Sequence, residues 1–515
     1  MADVTFTVDG KKITAPAGTL LIEACKAAGI EIPAFCYYPG LSLQAACRMC
    51  VVRQEKVPKL QTACTTQVAE GQVFFTETPE IVQARKATLQ LLLGNHPLDC
   101  PVCDAGGECE LQDMTFKYGA VDSFYAEPKN HRDEQKWSPV VYFDRPRCIL
   151  CYRCVRMCGE GMDVFALAVE NRGSSSVIAP NVPGRLSGVV ENGVELAQLD
   201  CEQCGMCIDV CPVGALTSGT YRYKTRPWEM NHVATVCTHC GDGCKTTLGV
   251  RSTSDGSEIV RGDNRDKSGI NGDFLCNKGR YAFAFANSAE RITTPLLRQH
   301  SGELKSVTWE EALTHVGKKF ADLRDTRGGK SIGVLGGNRL TNEEAYLLQK
   351  FARSILRTNN IDHHRTADYV TFAQALSGTA GRTASLRDAF TAKAVLLVGG
   401  DPTTQAPATA WNLRTAVRLN AARLYIANTA EIKLRRQAKS FLKLSEFGYG
   451  PFAQFLAGDA AVADAVTADT NALTGLKETL KTEEDILILI GSELRGAALK
   501  HLIDFCLALP GAKFA

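Results

Sequence analysis

"CILCYRCVRMC", from Cys148 to Cys158, sets four cysteines within a very short stretch, and "CEQCGMCIDVCP" repeats the device from Cys201 to Cys211. Cysteines three apart on a tight loop turn their sulfurs toward one point. Disulfides would need them to pair off instead, so convergent thiolates suit a soft metal centre better. The chain holds 21 cysteines, and only Cys506 lies beyond Cys276. A disulfide scaffold is short and secreted. This chain has 515 residues, and its start, "MADVTFTVDGKK", has no basic stretch leading into an apolar one, so no secretory signal is expected. The cysteine asymmetry predicts a metal-rich front and a metal-free back.

Both runs follow the bacterial two-cluster ferredoxin pattern, C-x2-C-x2-C-x3-C-P, in which the fourth cysteine of each run serves the other cluster. The second run matches fully, ending in Pro212, while in the first Gly159 stands where proline would be. The pattern assigns Cys148, Cys151 and Cys154 with Cys211 to one [4Fe–4S] cluster, and Cys201, Cys204 and Cys207 with Cys158 to its neighbour.

Three further sets flank these runs. Upstream, "VTFTVDGKKITAPAG" alternates around Asp9-Gly10, a hairpin signal. "TLLIEACKAAGI" then has helical spacing and ends at Gly29. Hairpin then helix is how a β-grasp fold begins, with Cys25 read as a core residue. Cys36, Cys47, Cys50 and Cys64 follow, crowded by the small residues of "LQAACRMC". A loop cluster of cysteines plus one distant cysteine is the plan of plant-type [2Fe–2S] sites, though the spacing differs; a structural zinc site also uses four cysteines. A helical stretch, "PEIVQARKATLQLLLGNHPLDCPVCDAGGECELQDM", carries Cys100, Cys103 and Cys109. Three thiols lack a fourth, and His96 is the nearest candidate; Gly106 and Gly107 let the chain fold tightly. Finally Cys237, Cys240 and Cys244 are joined across short hairpin-like strands by Cys276. Only Cys25 and Cys506 remain outside these sets.

After Cys276 the chain changes character. Thr308 with Glu311 and Thr341 with Glu344 predict capping boxes on amphipathic helices. Strand, turn and helix then alternate through "KAVLLVGGDP" and "DILILIGSE", which implies a parallel sheet with helices on both faces. The Gly-rich turns "GVLGGN" and "LVGGDP" suit either a phosphate or pterin dinucleotide cradle or a plain strand-ending turn. No apolar run approaches the roughly 20 residues of a membrane span. A formal net charge of +2 points away from nucleic acid as a partner.

The order of motifs, with "HPLDCPVCDAGGECELQD" and "RCILCYRCVRMC", resembles the large iron–sulfur subunit of bacterial respiratory complex I, the NADH–quinone oxidoreductase. The resemblance is strongest over residues 1–290. It implies a multidomain chain, α+β then α/β: a β-grasp [2Fe–2S] domain (1–78), a one-His/three-Cys [4Fe–4S] domain (79–120), a two-[4Fe–4S] ferredoxin-like domain (138–222), a four-cysteine [4Fe–4S] domain (230–290) and a shortened molybdopterin-oxidoreductase-like α/β domain (291–515). It also implies one [2Fe–2S] and four [4Fe–4S] clusters relaying electrons from a flavin- and NADH-binding subunit and its [2Fe–2S] partner toward quinone-side hydrophilic subunits. The chain itself would have no catalytic residue, no membrane span and no molybdenum cofactor, and would sit on the cytoplasmic face of the inner membrane through the complex.

Two departures stand out. Many members of the family keep one cluster in the ferredoxin pair, whereas this chain has all eight ligands, as NAD-linked formate dehydrogenases do; a catalytic subunit of that kind is the alternative. At "GAKFA" the half reads as shorter than a full molybdopterin domain, with the remainder either missing, truncated or never needed. In formate dehydrogenases the metal's cysteine or selenocysteine follows a segment like "TNNIDHHRTADY". Here Asn359, Asn360 and Asp362 stand in place, Arg365 falls about one residue early, and the ligand position falls on Ala367 or Asp368, neither a thiolate. His363, His364 and Asp368 are read as loop residues.

Overall fold

Asp9 and Gly10 take φ of +48° and +81°, the left-handed pair that a two-residue hairpin turn needs. They join strands Asp3–Val8 and Lys11–Pro16, which pair antiparallel with Phe6 opposite Ile13. The hairpin extends into a mixed five-stranded sheet with Val73–Phe75, Val51–Gln54 and Gln61–Thr62, in which Asp3–Val8 and Val73–Phe75 run parallel. Helix Leu21–Ala27 buries Leu21, Ile22, Ala24 and Cys25 in one core with Phe6, Val8, Ile13, Val52 and Phe74.

The computed structural model describes residues 2–119, 125–181, 190–191, 194–195, 201–254, 256–264, 270–363 and 366–515. They form two units, residues 1–235 with 244–282, and residues 236–243 with 283–515. In the first unit, helix Pro79–Asn95 starts with Thr78 accepting the Ile81 N–H and proline at the first turn. The helical stretch expected to run on to Met114 breaks over residues 96–109 and resumes as Glu110–Tyr118. Pro97 and Pro101 supply no backbone donor, and Gly107 turns at φ +92°. Beyond it, Val141–Phe143 pairs antiparallel with Leu216–Ser218, over a core in which Trp137 stacks on Phe143 at 4.5 Å. The hairpin-like strands expected between Cys244 and Cys276 are Lys245–Thr253 and Gly256–Asn264, antiparallel.

The second unit is built on a five-stranded parallel sheet, ordered Ala438–Lys443, Arg423–Asn428, Ala394–Val398, Ile486–Ile490, Lys513–Phe514. Its side chains divide with period two. Leu396, Val398, Tyr425, Ile486 and Ile488 join one core with Phe452, Leu499, Leu502, Ile503 and Cys506. Val395, Leu397, Leu424, Ile426, Leu487 and Leu489 join another with Ala410 and Leu413. A sheet covered on both faces explains why "AVLLV" and "ILILI" read as continuous apolar runs.

Both expected capping boxes are present, on helices Trp309–Arg327 and Asn342–Phe351. Their apolar stripes differ from expectation: neither helix buries a residue, and Trp309, Leu313 and Leu347 are exposed. The strands nearby in sequence join only in twos, Leu296–Arg298 with Leu304–Ser306 and Val334–Gly336 with Ile361–His363. Each pair is too narrow to supply an apolar layer of its own. Among the described residues, no helix is long and apolar enough to cross a membrane.

Glu483 is a buried carboxylate of the second unit. It accepts two bonds from Arg423 Nε, at 2.8 and 3.0 Å, and one from the Tyr425 hydroxyl at 2.5 Å. Arg423 holds its carboxyl below the usual range. A pKa depressed by folding contributes stability above the unfolded value and loses it as pH falls through the folded one. Glu483→Gln is therefore expected to destabilise this unit by about 1–2 kcal/mol near neutral pH, a figure discounted for the half-open Arg423. The difference from the native chain should shrink as pH falls below the glutamate range, read by thermal unfolding across that pH span.

Candidate metal centres

Two left-handed non-glycine residues, Ala45 (φ +49°) and Arg48 (φ +58°), curl the loop that carries Cys47 and Cys50. The Cys36 N–H reaches Cys47 Sγ at 3.5 Å, and the Cys36 thiol is lowered to about 5, first by a hydrogen bond from the Cys47 thiol. The Cys47 thiol is raised in return. Cys50 and Cys64 form a second such pair, Cys64 lowered and Cys50 raised. Ala63 N donates to Cys50 O at 2.9 Å, which holds the distant cysteine against the loop. The structure thus brings all four into two thiol–thiol pairs within one segment.

His96 terminates helix Pro79–Asn95. The ring is 9 % exposed, and its buried Nδ1 has no hydrogen-bond partner. Burial, and then Arg147, lower its pKa to about 4, so the imidazole is neutral with a nitrogen lone pair to give. An orphaned buried acceptor, with three thiols following it in the chain, fits a metal ligand. Cys103 and Cys109 are buried and Cys100 is half-buried; burial raises the Cys109 thiol to about 11. Gly106 permits the turn, because a Cβ there would come within 2.8 Å of Cys100 O.

The two ferredoxin-type runs fold alike. In each, the N–H two residues on donates to the first sulfur, Leu150 to Cys148 at 3.5 Å and Gln203 to Cys201 at 3.2 Å. In each a left-handed residue precedes a short helix: Tyr152 (φ +59°) before Arg153–Arg156, and Gly205 (φ +75°) before Met206–Asp209. Each fourth cysteine lies close enough to the other run to feel its charge. Burial, and then the charge of Cys211, raise Cys151 to about 12, and Cys148 acts on Cys211. Cys158 is raised to about 11 by burial and then by Cys204, and Cys207 is raised by burial and then by Cys201, Cys204, Cys158 and Cys211. Stacking this many thiolate charges in a buried space is unfavourable without a cation to receive them, and convergent thiolates are the donors that iron–sulfur clusters take.

Cys244 and Cys276 belong to the first unit and Cys237 and Cys240 to the second. Cys276 caps helix Asn277–Tyr281, its sulfur accepting from Gly279 N at 3.5 Å. In the second unit, Asp242 follows Cys240 and its carboxylate holds the start of helix Pro407–Asn420, accepting from Ala408 N at 3.0 Å and Thr409 Oγ1 at 2.7 Å.

Arginines within and near the cysteine runs tie these segments together, and the reading by cysteine spacing passed over them. Arg153 donates to Tyr37 O at 3.1 Å and Ala34 O at 2.7 Å, and pairs with Glu110 at 2.6 Å. Arg156 donates to Cys36 O and Ser42 O. Arg147 pairs with Asp99 at 2.6 Å and Asp144 at 2.7 Å. Their signal was present: "RPRCILCYRCVR" holds four arginines and no lysine, and Arg is the cation suited to burial with several acceptors.

The residues expected at a molybdenum site do not fit one. Ala367 offers no donor atom. Asp368 caps helix Tyr369–Ala375, Oδ1 accepting from Thr371 N at 3.1 Å and Oδ2 from Gly496 N at 2.8 Å, so both oxygens are engaged. His363 lies edge-on to Tyr369 at 5.7 Å. His364 and Arg365 lie outside the described residues.

Comparison with known proteins follows the same segments. Residues 1–79 match the family model for a 2Fe-2S iron-sulfur cluster binding domain, 85–123 the NADH-ubiquinone oxidoreductase-G iron-sulfur binding region, and 138–217 the ferredoxin-like domain of NADH-quinone oxidoreductase subunit 3. Residues 230–288 match the molybdopterin oxidoreductase Fe4S4 domain and 291–489 molybdopterin oxidoreductase. Among relatives, the second NADH-quinone oxidoreductase G-type subunit of Rhizobium meliloti is 36% identical over 95% of this chain, which spans 57% of it. The G-type subunit of Streptomyces coelicolor is 36% identical over 82% of this chain, which spans 50% of it. The alpha subunit of the NADPH-Fe(3+) oxidoreductase of Geobacter sulfurreducens is 31% identical over 98% of this chain, which spans 62% of it.

One contact between sets is steric. A Cβ on Gly214, three residues after Cys211, would come within 2.2 Å of Cys103 Sγ and 3.3 Å of Ala105 Cβ. Nearby, Glu110 N donates to Pro212 O at 3.0 Å. Gly214→Ala is expected to displace the Cys103 loop and cost about 1–3 kcal/mol. Gly475→Ala, where a Cβ meets nothing within 4 Å, should not destabilise. Thermal unfolding of the two variants beside the native chain checks this.

Proposed function

Because the chain is related to the G-type subunits of NADH-quinone oxidoreductase and has their iron–sulfur and molybdopterin-type segments, we propose that it is the electron-relay iron–sulfur subunit of such a complex. In this reading residues 1–78 are a β-grasp [2Fe–2S] domain holding its cluster on Cys36, Cys47, Cys50 and Cys64. Residues 79–120 hold a [4Fe–4S] cluster on His96, Cys100, Cys103 and Cys109. Residues 138–222 hold two, on Cys148, Cys151, Cys154 and Cys211, and on Cys158, Cys201, Cys204 and Cys207. Residues 230–290 hold one on Cys237, Cys240, Cys244 and Cys276, a set that rests on spacing and on the Fe4S4 family match. Such clusters supply one-electron transfer with no bond chemistry on the chain. Residues 291–515 form the molybdopterin-type half, without the metal.

The observation that carries the reading is that Cys211 feels the charge of Cys148 and Cys158 that of Cys204, which supports the crossed assignment. The chain's own work is to hold thiolates, exclude water and set charge around them. Half-buried sulfurs receiving backbone N–H groups do this at Cys148, Cys158 and Cys201, and a neutral ring at His96 removes one negative charge from its set. The partners this reading proposes are a flavin- and NADH-binding subunit with its [2Fe–2S] partner on the donor side, and quinone-side hydrophilic subunits on the other, at the cytoplasmic face of the inner membrane. The engaged oxygens of Asp368 and the bare Ala367 weigh against a formate dehydrogenase.

The Geobacter relative favours a second reading, transfer from a pyridine nucleotide to an acceptor other than quinone. Purification of the native complex separates the two: membrane subunits accompany a quinone reductase, and a soluble flavin partner alone accompanies the other.

Iron analysis tests the cofactor content. The ligand sets require about 18 iron atoms per chain, and a reproducible deficit of about four, or stoichiometric zinc, removes a site. His96→Cys is expected to keep its cluster at a lower potential and His96→Ala to lose it, both read by EPR-monitored redox titration. An unchanged spectrum in both would exclude His96 as a ligand.

A further inference from the structure

In a doubly wound sheet, anionic ligands settle outside the carboxyl ends of the strands, where the strand order reverses. In the second unit that place lies between Ala394–Val398 and Ile486–Ile490. One strand leads outward to Arg423–Asn428 and the other to Lys513–Phe514. The turn leaving Ala394–Val398 is Gly399–Gly400, both left-handed at φ +73° and +66°. It has the shape of a phosphate cradle, with N–H groups as the natural donors.

All of these donors are taken. Gly399 N donates to Ala427 O at 3.0 Å, Gly400 N to Glu493 Oε1 at 3.2 Å, and Asp401 N to Gln405 Oε1 at 3.1 Å. The other Glu493 oxygen lies 2.7 Å from where a Cβ on Gly399 would stand, so the carboxylate rests on the bare glycine backbone. The neighbouring amide is also committed: Asn428 Nδ2 donates to Gly400 O at 2.7 Å, and its Oδ1 accepts from Tyr449 at 3.0 Å and Ala430 N at 3.1 Å. Asp401 adds a second carboxylate, accepting from Thr403.

We infer that Glu493 is a resident substitute for a phosphate, and that it closes the strand-end crevice of the α/β half to the diphosphate of a dinucleotide. A carboxylate on the turn's central N–H satisfies the donor that a phosphate oxygen would need and repels the phosphate charge. The inference rests on reading residues 291–515 as a molybdopterin-type half, and it goes further by naming the residue that bars the dinucleotide, apart from the missing metal ligand.

Titration calorimetry of the full cluster-bearing chain with ADP and with inorganic pyrophosphate tests it. The native chain and Glu478→Gln, a carboxylate on helix Thr470–Lys481 remote in sequence from the turn, are expected to give no binding up to about 1 mM. Glu493→Gly is expected to bind with a Kd at least about tenfold below that limit, since it frees a donor and removes a charge. Glu493→Gln, which loses only the charge, should fall between. Hydrogen exchange gives a second readout: the segment 399–405 should exchange faster in Glu493→Gly and slow again on adding pyrophosphate. Binding by the native chain, or no gain in either Glu493 variant, overturns the inference. Molybdenum or tungsten in the native protein would instead overturn the metal-free reading of this half, and that assay is independent of the titration.

Discussion

Arg153, 6 % exposed, is the contact on which the cysteine-rich unit turns. It projects from between Cys151 and Cys154, yet it binds carbonyls at Ala34 and Tyr37 and the Glu110 carboxylate. One guanidinium therefore joins the Cys36 loop, the helix after Cys109 and the first ferredoxin-type run. A planar group with five donors does this where a lysine would saturate one or two partners. The guanidinium itself is buried, so leaving its donors unpaired would cost their desolvation, and the three segments hold one another in place. Arg156 repeats the arrangement one turn later on Cys36 O and Ser42 O.

The cysteines depend on this frame because they cannot supply it. Burial raises most of their pKa values, so without a cation these thiols stay protonated and contribute little more than small apolar side chains do. Backbone conformation does the aiming. Left-handed residues at Leu150, Tyr152 and Gln203 are each strained for a side-chain-bearing residue, and that strain is sustained by tertiary contacts that hold the loop shut.

What was legible in the sequence was local. The order of segments, the hairpin at Asp9-Gly10, the caps at Thr308 and Thr341 and the alternating strands of the second unit all follow from residues within a few positions of one another. What was not legible depends on distance. Arg153 and Ala34 are far apart in the chain, and no periodicity announces their bond. The break after Asn95 was carried by Pro97 and Pro101, which helical spacing alone passed over. The stripe on Trp309–Arg327 is amphipathic as written, but whether a stripe is buried depends on what faces it, and two-stranded pairs such as Val334–Gly336 with Ile361–His363 offer little. The glycine turn at Gly399–Gly400 suited both a cradle and a strand end; only the position of Glu493, ninety-odd residues later, distinguishes them.

The Asp242 cap gives the α/β half a purpose apart from any chemistry of its own. Asp242 sits in the "CGDGC" loop beside Cys240, and its carboxylate is fastened to the first turn of helix Pro407–Asn420. A chain without this half would leave the loop without its mooring. In this half the fold itself serves as an anchor, holding a cysteine-bearing loop by the carboxylate at its tip.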